Sequence, residues 1–257
     1  MTLSTLNTLL TKREDAVFTV TVNRADKLNA FNPEVLSELN QVLDRIEKDE
    51  TLKVVIITGA GEKAFVVGND LEQLAKLDPV AAYEQMRLGQ RTFLRIHEFP
   101  KPVIAMVNGY ALGGGFELAL SCDLIVASEK ATFGFPEINL NTMPGWGGTQ
   151  LAAKKLGLNR AKEMILTGAY YPANVCAEFG FINRIVRHEQ LERETMALAD
   201  QLAEKAPFPL KIAKEAINKG AELGLSDGFQ FEAHAYAVNY SAPHTEEGFA
   251  KFLNRTK

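Results

Sequence analysis

Glu117 closes the run Gly113-Gly114-Gly115-Phe116-Glu117, which follows an apolar stretch at residues 102–107 and the pair Asn108-Gly109. Three glycines between a strand and a helix let the backbone approach a ligand with no Cβ in the way. The first turn of a helix also presents free N–H groups and a partial positive charge. Such a corner suits an oxygen that becomes negative during a reaction. Glu117 stands three residues past Gly114, about one helical turn, so it faces the same space. Read alone, it is an acid that complements a helix dipole. A second acid, Glu137, follows Pro136 in the apolar loop Phe133-Gly134-Phe135-Pro136-Glu137. Apolar neighbours raise a carboxyl pKa toward neutrality, which suits proton exchange; the plainer reading is a loop acid that caps the next element. A third segment, Ala64-Phe65-Val66-Val67-Gly68-Asn69-Asp70-Leu71, again sets glycine between a strand and a helix. Alone it reads as a turn with Asn69 or Asp70 as N-cap.

These corners need elements to hold them. Residues 16–22 alternate as a half-buried strand does. Asn32-Pro33-Glu34 is a helix start, with Leu36, Leu39, Leu43 and Ile46 on one face. Residues 54–57 and 102–107 are continuous apolar strands, as burial on both faces produces. Residues 79–97 make an amphipathic helix, 113–120 another, 124–127 a strand, 132–144 a loop-rich stretch and 181–186 a last strand. From Glu189 onward the pattern is helical. Strands alternating with helices predict a parallel α/β core over residues 1–195, and residues 196–257 a helical region that packs on the core or on a neighbouring subunit.

The chain has 257 residues, 46% hydrophobic and 23% charged, enough for one large α/β domain with a sizeable core. A net charge of -4 argues against a nucleic-acid footprint spread over the surface. Cys122 and Cys176 lie far apart and read as reduced, packed thiols. Residues 1–10 fit neither a signal peptide nor an anchor, and the apolar runs are strand-sized, so the expectation is a cytoplasmic protein without a membrane span. Gly109 and Gly114 have the outer spacing of a P-loop but lack its Lys-Ser or Lys-Thr, and the glycine run is not GxGxxG. No Gly-x-Ser-x-Gly elbow is present, and the four histidines show no ligand spacing, so no metal site is expected.

In order along the chain, these segments resemble the enoyl-CoA hydratase/isomerase (crotonase) family. The resemblance runs from about residue 17 to residue 255. It is most specific in Lys101-Pro102-Val103-Ile104-Ala105, Asn108-Gly109, the run from Gly113 to Glu117, Cys122-Asp123, Pro136-Glu137 and Pro144-Gly145. It implies a crotonase-like right-handed spiral of ββα units with a C-terminal helical trimerisation region. It also implies an acyl-CoA substrate and no separate cofactor, coenzyme A being part of the substrate. The backbone N–H groups of Asn69 and Gly114 would hold the thioester oxygen. Glu117 would activate water for attack at Cβ, Glu137 would supply the proton to Cα, and Gly145 would help place the water. Lys27, Leu28 and Ala30 match positions that grip the CoA adenine and pantetheine, with Val67, Gly68, Asp70, Leu71, Gly113 and Pro136 around the substrate. Tyr236, Phe252 and Arg255 match positions that meet CoA from the C-terminal helices, across a subunit boundary in a homotrimer or dimer of trimers.

One departure stands out. Asn69 occupies a position where hydratases usually have a small residue, and Gly-Asn-Asp also occurs in some isomerases of the family. The resemblance therefore implies hydration of 2-enoyl-CoA thioesters, with double-bond isomerisation or a non-catalytic binding role as alternatives.

Overall fold

The computed structural model describes residues 6–255. The chain opens with strands β1 (Leu9–Glu14) and β2 (Val17–Val22), then helix α1 (Pro33–Lys48). Three turns of strand, short strand and helix follow. The first is β3 (Val54–Gly59), β4 (Ala64–Val66), the single-turn α2 (Leu71–Leu74) and α3 (Pro79–His97). The second is β5 (Val103–Val107), β6 (Tyr110–Leu112) and α4 (Gly114–Ser121). The third is β7 (Leu124–Ser128), β8 (Thr132–Gly134), a 3-10 turn at Pro136–Leu140, and α5 (Gly148–Leu156). After them come α6 (Leu158–Thr167), β9 (Tyr170–Pro172), α7 (Ala173–Glu178), β10 (Arg184–Val186) and helices α8 (Leu191–Ala203), α9 (Pro207–Gly220), α10 (Leu225–Tyr240) and α11 (Pro243–Arg255).

The long strands form one sheet in the order β1-β2-β3-β5-β7-β10, parallel except for the β1–β2 hairpin. The short ones form a second sheet, β4-β6-β8-β9, where only β9 runs antiparallel. The long sheet is covered on both faces, which is why β3 and β5 read as unbroken apolar runs. Val55 and Ile57 join the main core with α1 and α3, while Val54, Ile56 and Ile104 pack toward Leu191 and Ala199 of α8. The expected division after residue 195 falls inside α8, which packs on the sheet. α9 is tied to the core by Lys214 Nζ on Asp123 Oδ2 at 2.7 Å and Asn218 Nδ2 on the His97 carbonyl at 3.0 Å.

Several elements differ from the sequence pattern, each for a local reason. β1 carries Lys12, Arg13 and Glu14 at the sheet edge, where one side faces solvent, and charge hides its strand character. β4, β6 and β8 have three residues each, too short for a period-two signal, so the stretch read as loop contains β8. The last strand pairs with β7 only from Arg184, because the Asn183 side chain accepts from Ile125 N in place of a ladder bond. The helix start at residue 32 is as read: Asn32 accepts from Val35 N at 2.9 Å, with Pro33 in the first turn.

Candidate active site

The short sheet brings the corners after β4 and β6 side by side. Gly68 has φ +86°, and a Cβ there would sit 3.3 Å from Gly114 N and 3.4 Å from the Leu112 carbonyl oxygen. Backbone thus meets backbone where the glycines stand. Asn69 is fixed by a parallel bridge to Phe31: Phe31 N donates to Gly68 O at 2.7 Å and Asp70 N donates to Phe31 O at 2.8 Å. Both bonds lie on one side of the strand, so the N–H of Asn69 points away from Phe31, and Asn69 and Gly114 both line one cavity. Gly114 begins α4, and its N–H belongs to a first turn with no intrahelical acceptor. Two backbone donors therefore share one wall.

Glu117 is 2% exposed in the first turn of α4. Its Oε1 accepts from Trp146 N at 2.8 Å and from Gly148 N at 2.7 Å, at the corner that opens α5. Burial pushes its pKa up to about 7; the Gly148 N–H opposes that shift, and the nearby Glu137 adds to it. Glu137, in the 3-10 turn after β8, is also raised to about 7 by burial. Among the described residues its Oε2 is buried without a hydrogen-bond partner. Gly113 makes room for it: with φ +53°, a Cβ at this position would fall 2.8 Å from Glu137 Oε1. Two carboxyls poised to exchange protons near neutral pH thus face one space.

That space is a cavity of about 790 Å³. Fourteen of the residues singled out from the sequence line it: Asn69, Gly114, Glu117 and Glu137, with Val67, Gly68, Asp70, Leu71, Gly113, Pro136 and Gly145, and at one end Lys27, Leu28 and Ala30. The last three sit on a loop bent by two left-handed residues, Leu28 at φ 51° and Asn29 at φ 60°. Asn29 secures the bend by donating to Ala60 O and Ala64 O and accepting from Arg24 N. Arg24 then reaches Asp70 Oδ2 at 2.9 Å, clasping this loop to the Asn69 corner and holding the Asp70 carboxyl below its usual range.

Tyr236 and Phe252 do not line the cavity; they are 59% and 71% exposed on α10 and α11. The side chain of Arg255 lies outside the described residues. Sequence reading missed part of the apolar wall, notably Ala82 and Met86 of α3, Tyr110, Met143 and the ring of Trp146. The signal for the α3 pair was present, since Ala82, Met86, Gly89 and Phe93 share one helical stripe. Among the described residues, no group of three or more His, Cys, Asp or Glu side chains has the arrangement to hold a metal ion, and no helix is long and apolar enough to cross a membrane.

The family profile described as enoyl-CoA hydratase/isomerase matches residues 12–257. The chain belongs to that family. Among its relatives is a short-chain-enoyl-CoA hydratase of Clostridium acetobutylicum, 36% identical over 98% of this chain and 97% of the relative. A crotonyl-CoA hydratase of Syntrophomonas wolfei is 33% identical over 97% of this chain and 96% of its own. The crotonase fold is shared with solved structures. An enoyl-CoA hydratase from Bacillus anthracis superposes with a TM-score of 0.93 at 34% identity, covering 97% of each chain. One from Geobacillus kaustophilus gives 0.92 at 41%, covering 97% of this chain and 96% of the other.

The buried carboxyl of Glu117 has a stability consequence. Its pKa is about 7 in the folded chain against 4.5 for the free group, so the folded state holds its proton more tightly. The contribution of Glu117 to stability is then greatest below about pH 4.5 and falls as pH rises to about 7, by an amount on the order of 3 kcal/mol. Glu117→Gln keeps an oxygen for both backbone donors and removes the charge. The expected result is a melting temperature above wild type at pH 8, with the gain gone at pH 4.5. An equal gain at both pH values would refute the raised pKa.

Proposed function

We propose that this chain hydrates 2-enoyl-CoA thioesters to 3-hydroxyacyl-CoA. The observation that carries the reading is the pairing of the buried Glu117 carboxyl and the half-buried Glu137 carboxyl, each near pKa 7, with two backbone donors on one cavity. Family membership supplies the substrate class.

In this reading the thioester oxygen lies between the N–H groups of Asn69 and Gly114. Ionised Glu117 takes a proton from water as the water oxygen bonds to Cβ. The double-bond electrons move toward the thioester oxygen, where the two donors stabilise the enolate. Protonated Glu137 delivers its proton to Cα, and the carbonyl re-forms. The two acids have exchanged protonation states, and solvent restores them. With both carboxyls raised to about 7, a state with Glu117 ionised and Glu137 protonated is populated near pH 7. The Gly145 carbonyl accepts from Gln90 Nε2 at 2.8 Å, which fixes the turn beside Glu117 where the attacking water would sit.

Loss of conjugated-thioester absorbance with crotonyl-CoA tests the reading. Activity should show a bell-shaped pH dependence around neutrality. Glu117→Gln and Glu137→Gln should each lower the rate roughly 10²–10⁴-fold. No hydration of short, medium or long 2-enoyl-CoA would sink the proposal, and near-full rate in either variant would remove that residue from its role.

We further propose a cytoplasmic homotrimer or dimer of trimers, in which Tyr236, Phe252 and Arg255 of one copy approach the CoA of another. Large apolar side chains on the outer helices support self-association: Ile217, Leu225 and Phe229 are 70%, 75% and 63% exposed. Light scattering should give three or six times the 28.3 kDa chain mass. A monomeric mass would overturn this.

A further inference from the structure

Trp146 is the single tryptophan of the chain, 2% exposed, and it touches the site by two routes. Its backbone N–H donates to Glu117 Oε1. Its indole stands between two glycines on different helices. A Cβ on Gly114 would lie 2.9 Å from Cε3 and Cζ3 of the six-membered ring. A Cβ on Gly89 would lie 2.3 Å from Cδ1 and Nε1 of the pyrrole ring. The ring therefore fills the gap from α3 to the first residue of α4, with opposite edges against the two backbones.

Aromatic neighbours lock it. The Phe93 ring meets it edge-on at 5.3 Å and 82°, and the Phe31 ring lies tilted at 5.7 Å. Phe31 is also the residue whose backbone orients Asn69. Gly89 sits inside a 19-residue helix, where glycine is unfavourable, and the indole is the reason a side chain has no room there.

We propose that Trp146 is a positioning residue: its indole, wedged between Gly89 and Gly114, holds the Gly114 N–H in register with the Glu117 carboxylate. The role rests on the hydratase reading and adds to it a residue of the cavity wall that acts through the backbone of Gly114. Among the described residues the indole N–H has no hydrogen-bond partner, so Trp146→Phe removes ring size and no hydrogen bond. The variant isolates the wedge.

The test compares Trp146→Ala, Trp146→Phe, Gly89→Ala and the Gly89→Ala/Trp146→Ala double variant on crotonyl-CoA. Trp146→Ala should lower kcat and kcat/KM together, by about 10²-fold for a donor displaced by roughly 1 Å, with KM little changed. Trp146→Phe keeps a ring beside Gly89 and loses the six-membered-ring edge against Gly114, so it should recover only part of that loss. Gly89→Ala pushes on the pyrrole edge from outside the cavity. It should lower kcat and shift the Trp146 fluorescence emission. On the Trp146→Ala background its effect should vanish, since no ring remains to push. A folded Trp146→Ala with wild-type kcat would overturn the proposal, as would a Gly89→Ala cost that is the same on both backgrounds. If Trp146→Ala does not fold, Trp146→Phe and Gly89→Ala decide, and wild-type kcat in both overturns the proposal. A wild-type protein inactive on every 2-enoyl-CoA overturns the hydratase reading and this one with it. An active wild type with unaffected variants overturns only the wedge.

Discussion

A carboxylate cannot sit inside a protein without something to offset the loss of water, and the surroundings of Glu117 answer to that constraint. Two backbone N–H groups from the Trp146–Gly148 corner converge on one oxygen, which requires α5 to begin against the first turn of α4. That docking needs close backbone approach: a Cβ on Gly148 would lie 2.9 Å from Glu117 Oε1. The donors leave part of the desolvation cost unmet, and the remainder appears as a pKa near 7. The same shortfall that weakens the fold gives the group its capacity to exchange protons.

The spiral of strand, short strand and helix puts this corner beside the other two. Each turn of chain ends a strand of the small sheet at the same edge, so the segments after β4, β6 and β8 stack. Those segments carry Asn69, Gly114 and Glu137 in turn. Three residues far apart in sequence meet because two successive parallel pairings, β4 with β6 and β6 with β8, set the three strands in line. The cavity is then closed by α3 and by the loop at Leu28, both held by ordinary side-chain bonds.

Legibility in the sequence followed the range of the forces involved. The glycine run before Glu117 was readable because strand, turn and helix polarity act within ten residues. The two-sided burial of β3 and β5 was readable for the same reason. Glu137 reads evenly as a proton-exchanging acid or a loop cap from its own loop, and the family resemblance alone assigns it a role. The ring of Trp146 escaped notice because its partners, Gly89 and Gly114, lie 57 and 32 residues away along the chain. The three-residue strands that align the corners were too short to show any period. Tyr236 and Phe252 were named by resemblance alone, and within one chain they stand apart from the cavity.

The bridge between Phe31 and Asn69 separates two kinds of inheritance. The direction of the N–H at position 69 is written in backbone bonds to Phe31, and those persist whatever side chain the position carries. The side chain itself faces the cavity, where Asn69 Oδ1 takes a long contact of 3.3 Å from Gln85 Nε2 of α3. A mutation there redraws the wall and leaves the donor in place. The shape of the cavity at this corner can therefore change one side chain at a time, with the direction of the backbone N–H retained at every step.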